Sequence, residues 1–317
     1  MRAAVVTELR RAPELRDVPE PRAGDGDALL EILAAPLNPL DISVSSAIFY
    51  GGHPDLPYIP GVEAVGRVIH SARFARGTLV WAHGEGLGVR RDGLLAERAA
   101  VAEDLLFEVP AGADPPLAAA FGVAGLAGWL PLAWRAPLEG GERVLVLGAT
   151  GAVGLVAVQA ARRFGASYVV AAGRSPEGLA RASEAGADAV VRLGEDDLAD
   201  VVGTEGVDVI VDPLWGEPLA AALAVAVPGA RIVNVGQSAG AEATLRSAHV
   251  RGKQLAILGY STLAISDGVI EREYRRLVGE ALAGRVRLDI ETVPLEELGA
   301  AWERQRAGAG AKLVVVP

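Results

Sequence analysis

Arg143-Val144-Leu145-Val146-Leu147-Gly148-Ala149-Thr150-Gly151-Ala152-Val153-Gly154 decides how this chain is read. A short apolar run ends in a glycine-rich turn, and the turn opens an apolar, alanine-rich segment, Leu155 to Phe164, closed by Gly165. That order predicts strand, tight turn, helix. Gly148, Gly151 and Gly154 have the spacing G-x-x-G-x-x-G, a variant of the fingerprint that lets a backbone turn approach a pyrophosphate. The helix that follows offers free N–H groups and the favourable end of its dipole. A purely structural turn would also use glycine, but a strand precedes this one, a helix follows, and a second strand, Tyr168 to Ala172, comes next. Gly148, Thr150, Gly151, Ala152, Val153 and Gly154 are therefore the expected dinucleotide-binding turn.

At 317 residues the chain is long enough for two domains and a large core. A hydrophobic content of 51% and a net charge of −10 fit an acidic globular protein. No basic stripe points to nucleic acid. The longest apolar runs are broken by charges, Gly or Pro, so no membrane span is expected. There is no cysteine, which excludes disulfides, thiolate metal sites and a cysteine nucleophile, and fits a cytoplasmic location. Met1 to Leu9 reads as a first strand rather than a signal peptide.

Up to about Gly112 the chain shows short β-like runs, Ala3–Val6, Ala28–Leu33, Gly61–Ile69 and Thr78–Trp81, separated by Pro, Gly and Asp. These predict a partly open β-barrel. Pro115-Pro116 and the small residues from Leu117 to Leu132 mark a change to helix. From Arg143 strands alternate with helices: Val144–Leu147, Tyr168–Ala172, Ala189–Val191, Val207–Val211, Arg231–Val235 and Leu255–Leu258. Ser175-Pro176 reads as an N-cap followed by N1, and Gly186 as a stop. The pattern predicts an α/β protein with a doubly wound parallel sheet of the Rossmann type. A helix over Asp267–Ala283 and strands at Asp289–Val293 and Lys312–Val316 complete the chain, the last two rejoining the barrel. The expected division is 1–112 with 259–317 for the barrel domain and 113–258 for the dinucleotide domain.

The end of the second sheet strand discriminates between cofactors, because an acid there bonds a ribose 2′-hydroxyl. Here it reads Gly173-Arg174-Ser175, with no carboxylate from Tyr168 to Ser175. An arginine grips a 2′-phosphate and a serine adds a further bond, so NADPH is expected. The alternative is that Arg174 is a solvated loop cation. Val235-Gly236 and Tyr260 close later strands of the same sheet and are expected at the same crevice.

Asn38-Pro39-Leu40-Asp41, Ile59-Pro60-Gly61-Val62-Glu63-Ala64-Val65-Gly66, the turn at Gly148–Gly154, Val211-Asp212-Pro213 and Ala311-Lys312-Leu313-Val314 follow one another in a recognisable order. This order resembles the zinc-free quinone oxidoreductase (zeta-crystallin-like) branch of the medium-chain dehydrogenase/reductase superfamily, over essentially the whole chain. The resemblance implies a GroES-like N-terminal domain, a Rossmann domain, Lys312 at the cofactor, and a homodimer joined through edge strands of the Rossmann sheets. Zinc-dependent relatives carry Cys where Asp41 stands and His where Val62 stands, so no metal is expected. None of His53, His70, His83 and His249 forms a close metal-binding pair. The chain departs from the family pattern at Ala127, Gly178 and Leu193, where threonine, lysine and tyrosine are usual. Arg181 and Arg192 are possible helpers of Arg174.

Hydride transfer needs positioning and electrostatics rather than a protein nucleophile. The acceptor oxygen gains negative charge and calls for a donor. Asn38 and Tyr50 are the candidates, with Tyr260 a third; the bland readings are an Asn-Pro turn and ordinary packing of the tyrosines. Asp41 is equally readable as a helix cap, Glu63 as a structural acid, and Asp212 as an organiser of loops. Trp81, Trp129, Phe49 and Leu126 would either wall a flat substrate or pack in the core. The expected partner is a small, apolar, electrophilic substrate: a quinone or a conjugated enone. Two alternatives stand beside it: an enoyl-thioester reductase, for which Arg73, Arg76, Arg90 and Arg91 would offer cations, and a non-catalytic nicotinamide-binding protein.

Overall fold

The computed structural model describes residues 1–84 and 86–317. It divides into two compact units, one comprising Met1–Val123, Asp267–Leu282 and Asp289–Pro317, the other Ala124–Ser266 and Ala283–Leu288. Among the described residues no helix is long and apolar enough to cross a membrane.

The first unit begins with β1 (Arg2–Val5), antiparallel to β2 (Glu14–Asp17). From Asp27 to Ala34, β3 (Asp27–Pro36) alternates buried Ala28, Leu30, Ile32 and Ala34 with half-buried neighbours, the period of two expected of a strand with one core face, and its last residues, Ala35 and Pro36, are buried as well. α1 (Pro39–Ser45) follows, then β4 (Glu63–His70), β5 (Leu79–His83), β6 (Arg98–Ala102) and β7 (Leu106–Glu108), each antiparallel to its neighbour. α2 (Pro115–Ala120) starts at Asp114, whose carboxylate accepts from the Leu117 N–H at 2.8 Å, with proline in the first turn. The change to helix expected at Leu117–Leu132 is there, but as two helices: α2 is broken at Phe121-Gly122 and the chain restarts as α3 (Val123–Leu130). The cause is Glu63. Its carboxylate accepts from the Val123 N–H at 2.8 Å, and a Cβ on Gly122 would collide with Glu63 Oε2.

In the second unit β8 (Arg143–Leu147), α4 (Ala152–Arg163), β9 (Tyr168–Gly173), α5 (Pro176–Glu184), β10 (Ala189–Arg192), α6 (Leu198–Val202), β11 (Val207–Asp212), α7 (Gly216–Val225), β12 (Ala226–Asn234), α8 (Ser247–Gly252) and β13 (Ala256–Gly259) alternate. The six strands form one parallel sheet in the order β10-β9-β8-β11-β12-β13. Counted from β8 this is the doubly wound order 3-2-1-4-5-6. Its central strands are near-continuous apolar runs, because helices cover both faces. β12 starts at Ala226 rather than Arg231, running through Pro228-Gly229 opposite a register shift between Val207 and Val209.

The chain then returns to the first unit through α9 (Asp267–Leu282), β14 (Ile290–Pro294), α10 (Leu298–Ala307) and β15 (Lys312–Val316). β15 lies parallel to β14 and antiparallel to β3, so the C-terminal strands join the N-terminal sheet, ordered β14-β15-β3-β4-β5-β7 with β6 on β3. Residues 113–123, expected with the sheet of six strands, fall in the first unit. There α2 buries Ala118, Ala119 and Ala120, and the Tyr274 hydroxyl of α9 donates to the Ala118 carbonyl at 3.1 Å. Residues 259–266 and 283–288 fall in the second unit. The latter segment is held by Gln159, whose amide donates to the Arg287 carbonyl at 2.9 Å and accepts the Arg287 N–H at 2.8 Å.

Candidate functional site

The glycine turn of the second unit uses each glycine differently. Gly148 sits at φ +60, where an L side chain is strained. A Cβ on Gly154 would collide with the Gly148 carbonyl, so the start of α4 packs directly on the turn. Gly151 is the N-cap of α4 in extended backbone, and a Cβ there would meet only Gly148 O, at 3.9 Å. That side of the turn is open. No side chain among the described residues caps α4, and no acid lies in its first turn. Among the described residues the amides of Ala152, Val153 and Gly154 meet no hydrogen-bond acceptor. Three free N–H groups at the positive end of a twelve-residue helix form an anion-receptive cradle that fits a diphosphate.

The remaining cofactor candidates of the second unit lie at carboxyl ends of strands in the same sheet. Gly173 ends β9. Arg174 follows it, exposed, and makes no hydrogen bond or ion pair among the described residues. Ser175, expected to reach a phosphate, is instead engaged locally: its hydroxyl accepts from the Gly178 N–H at 3.1 Å as the N-cap of α5 and donates to Glu177 Oε2 at 2.9 Å. Glu177 is the carboxylate that the stretch to Ser175 lacks. Its own backbone N–H, then Ser175, hold its carboxyl below the usual range. Arg192 is paired with Glu195 at 2.5 Å. After β12 the Val235 N–H donates to the Asp212 carbonyl at 2.7 Å, and Gly236 lies so close to Pro213 that a Cβ would be 2.9 Å from its carbonyl oxygen. Asp212, which ends β11, organises this edge. Its Oδ1 accepts from the N–H groups of Leu214 at 2.9 Å and Trp215 at 2.8 Å, while burial pushes its pKa up. After β13 the Tyr260 hydroxyl lies 3.3 Å from the Thr262 hydroxyl, and burial raises its pKa.

The first unit holds a buried polar cluster that sequence reasoning did not assemble. Lys312 opens β15 and is 4% exposed. Its ammonium donates to the Leu37 carbonyl at 2.9 Å and to Asn38 Oδ1 at 2.7 Å, so this lysine, expected at the cofactor, is turned inward within the first unit. Asn38 Nδ2 donates to Glu63 Oε1 at 2.9 Å and to the Pro36 carbonyl at 3.3 Å. Both amide protons are thus spent inside the protein, and Asn38 has none left to offer an acceptor. Glu63 Oε2 takes the Trp81 Nε1–H at 2.8 Å and the Val123 N–H. Burial raises the Glu63 pKa and lowers that of Lys312, each opposed by the other's charge. Asp41 is a cap: Oδ2 accepts from the Asn38 N–H at 2.8 Å, the carboxylate half of a capping box, and Oδ1 from the Val62 N–H at 3.1 Å. Asn38-x-x-Asp41 before a helix was the sequence sign of this arrangement. Burial lifts the Asp41 pKa to about 7.

The other candidates separate clearly. Tyr50 is 81% exposed and leans on Phe49 with ring centroids 4.4 Å apart. Trp81 and Trp129 are fully buried, and Trp81 stacks on His83 and on Tyr274, so the packing reading holds for both tryptophans. His53 has Nδ1 2.8 Å from the Pro54 carbonyl. Among the described residues no group of three or more His, Cys, Asp or Glu side chains is arranged to hold a metal ion.

Residues 24–111 match the family described as alcohol dehydrogenase GroES-like domain, and residues 152–279 the family described as zinc-binding dehydrogenase. A quinone oxidoreductase of Lama guanicoe is 30% identical over 100% of this chain and 97% of its own. The human quinone oxidoreductase is 29% identical over 98% of this chain and 95% of its own. The solved quinone oxidoreductase of Thermus thermophilus, studied alone and in complex with NADPH, superposes with a TM-score of 0.82 at 30% identity, covering 100% of both chains. With its GroES-like domain and doubly wound sheet, the chain belongs to the quinone oxidoreductase branch of the medium-chain dehydrogenase/reductase superfamily, a family of nicotinamide-dependent oxidoreductases.

Proposed function

We propose that this protein transfers hydride from NADPH to a small, apolar, electrophilic acceptor, a quinone or a conjugated enone, without zinc. The observation that carries the reading is the cradle at the start of α4: three unpartnered amides beside the open face of Gly151. A bound NADPH would supply the hydride. The turn would hold its diphosphate, and Arg174, exposed and without a partner among the described residues, would reach a 2′-phosphate. The NADPH complex of the Thermus thermophilus relative supports the same cofactor. Asp41 stands where zinc-dependent relatives carry a ligand, and its two oxygens are occupied by backbone N–H groups, which supports metal-free chemistry. With Asn38 committed internally, the exposed phenol of Tyr50 is the remaining first-unit candidate from the sequence for the donor that meets the charge on the acceptor oxygen. β13 lies at the edge of its sheet, which supports a homodimer formed there.

The test is steady-state oxidation of NADPH and NADH with a panel of quinones and a panel of enones. Turnover faster with NADPH is expected. Nucleotide binding without turnover of any acceptor would favour the non-catalytic reading instead.

A further inference from the structure

Thr150 lies in the glycine turn with its side chain pressed on two glycines remote from it in sequence. A Cβ on Gly178, in the first turn of α5, would lie 2.5 Å from Thr150 Cβ and 2.7 Å from Cγ2. A Cβ on Gly173, the end of β9, would collide with Thr150 Cγ2. Both glycines are buried and neither has a positive φ, so steric space rather than backbone conformation requires them. Thr150 Oγ1 makes no hydrogen bond among the described residues, whereas its methyl group is seated against both glycines.

These contacts lock three pieces together: the diphosphate cradle, the strand end that carries Arg174, and the first turn of α5, where Ser175 caps Gly178 and holds Glu177. The adenosine ribose of a dinucleotide is joined directly to its diphosphate. The spacing of these pieces therefore sets whether the ribose 2′ position falls beside the cation or the carboxylate. We propose that Thr150 is a specificity-determining residue. Its methyl group fixes the spacing between the cradle and the Arg174–Glu177 loop and excludes any side chain from position 178, which leaves discrimination at the 2′ position to Arg174 against Glu177. This rests on the nucleotide reading above and names the residue that tunes it.

The test uses the full chain and four variants: Thr150→Val, which keeps the shape; Thr150→Gly; Gly178→Ala; and the double variant Thr150→Gly/Gly178→Ala. Thermal unfolding reads the packing. Gly178→Ala is expected to lower Tm by several degrees, and the double variant to regain most of that loss. Calorimetric titration with NADPH and NADH reads the selectivity. Thr150→Gly is expected to shrink the NADPH/NADH affinity ratio about tenfold, a change worth 1.4 kcal/mol, while Thr150→Val preserves it. A merely structural role would weaken both nucleotides equally and leave the ratio unmoved. An unmoved ratio in a protein that binds both nucleotides, or a Gly178→Ala protein as stable as the parent, overturns the proposal. An unaltered protein that binds neither nucleotide overturns the functional reading itself, and the thermal cycle still reports whether the two positions are coupled.

Discussion

The ammonium of Lys312 donates to Asn38 Oδ1 at 2.7 Å and thereby fixes which way the Asn38 amide points. With the oxygen on Lys312, the amide nitrogen faces Glu63, and the chain Lys312–Asn38–Glu63 ties the C-terminal strand β15 to the start of α1 and to β4. Lys312 also opposes the charges of two buried carboxylates, Glu63 and Asp41.

Replacing Lys312 by Met removes that cation and leaves the acids uncompensated. Breaking such a buried arrangement from one side costs about 3–5 kcal/mol. Chemical denaturation is expected to show a loss of that order. A loss below about 1 kcal/mol, the scale of an ordinary hydrogen bond, would show that the cluster does not depend on its lysine.

His83 gives the fold a dependence on acid. The ring is buried, its Nε2 has no hydrogen-bond partner among the described residues, and burial pushes its pKa from 6.5 down to about 4. Between these values the unfolded chain binds a proton that the folded chain refuses, so stability is full above pH 6.5 and is lost as the pH falls toward 4. Asp41 acts oppositely. Its carboxyl is raised from 3.8 to about 7, so it favours the folded state below pH 3.8, and that contribution is lost as the pH rises through 7. His83→Phe is therefore expected to gain stability relative to the parent on acidification from pH 7 to pH 5, and Asp41→Asn to lose it. Urea denaturation at a series of pH values checks both signs. Parallel curves for parent and His83→Phe would contradict the assignment for His83.

Arg174 and Glu177 are expected to pull nucleotide selectivity in opposite directions. A hydrogen bond to a charged group is worth about 1.5–3 kcal/mol, so Arg174→Ala should weaken NADPH roughly tenfold to a hundredfold and leave NADH nearly unchanged. Glu177→Gln removes a negative charge beside the same loop and should tighten NADPH more than NADH. Titrations of both variants with both nucleotides check this. Equal losses for the two nucleotides in Arg174→Ala would place the guanidinium away from the 2′ position.

The doubly wound sheet was legible because it is written locally. The run from Val144 to Leu147, the glycines after it and the cap at Ser175-Pro176 each specify their own element. What escaped depended on contacts far apart in sequence. The break at Gly122 is imposed by Glu63, fifty-nine positions earlier and silent in the local helical pattern. β2, with all four residues exposed, and β7, with three residues, carry too little alternation to be seen. The fate of Asn38 was hidden for the same reason: its amide is held between Glu63, on β4, and Lys312, near the other end of the chain. The cap at Ser175 is legible in Ser175-Pro176, but its hydrogen bond to Glu177 shows only in the folded geometry.

A diphosphate resting against the amides of α4 is the contact on which the proposed chemistry depends, and Gly151→Asp tests it most directly. The backbone there is extended and a Cβ has room, so aspartate fits, and as an N-cap it satisfies the helix it precedes. Calorimetric titration with NADPH, paired with a melting curve, is predicted to show a protein at least as stable as the parent whose affinity has fallen about a hundredfold or more, because a carboxylate now occupies the place of the phosphates. A stable Gly151→Asp protein that binds NADPH as tightly as the parent would contradict that placement of the cofactor.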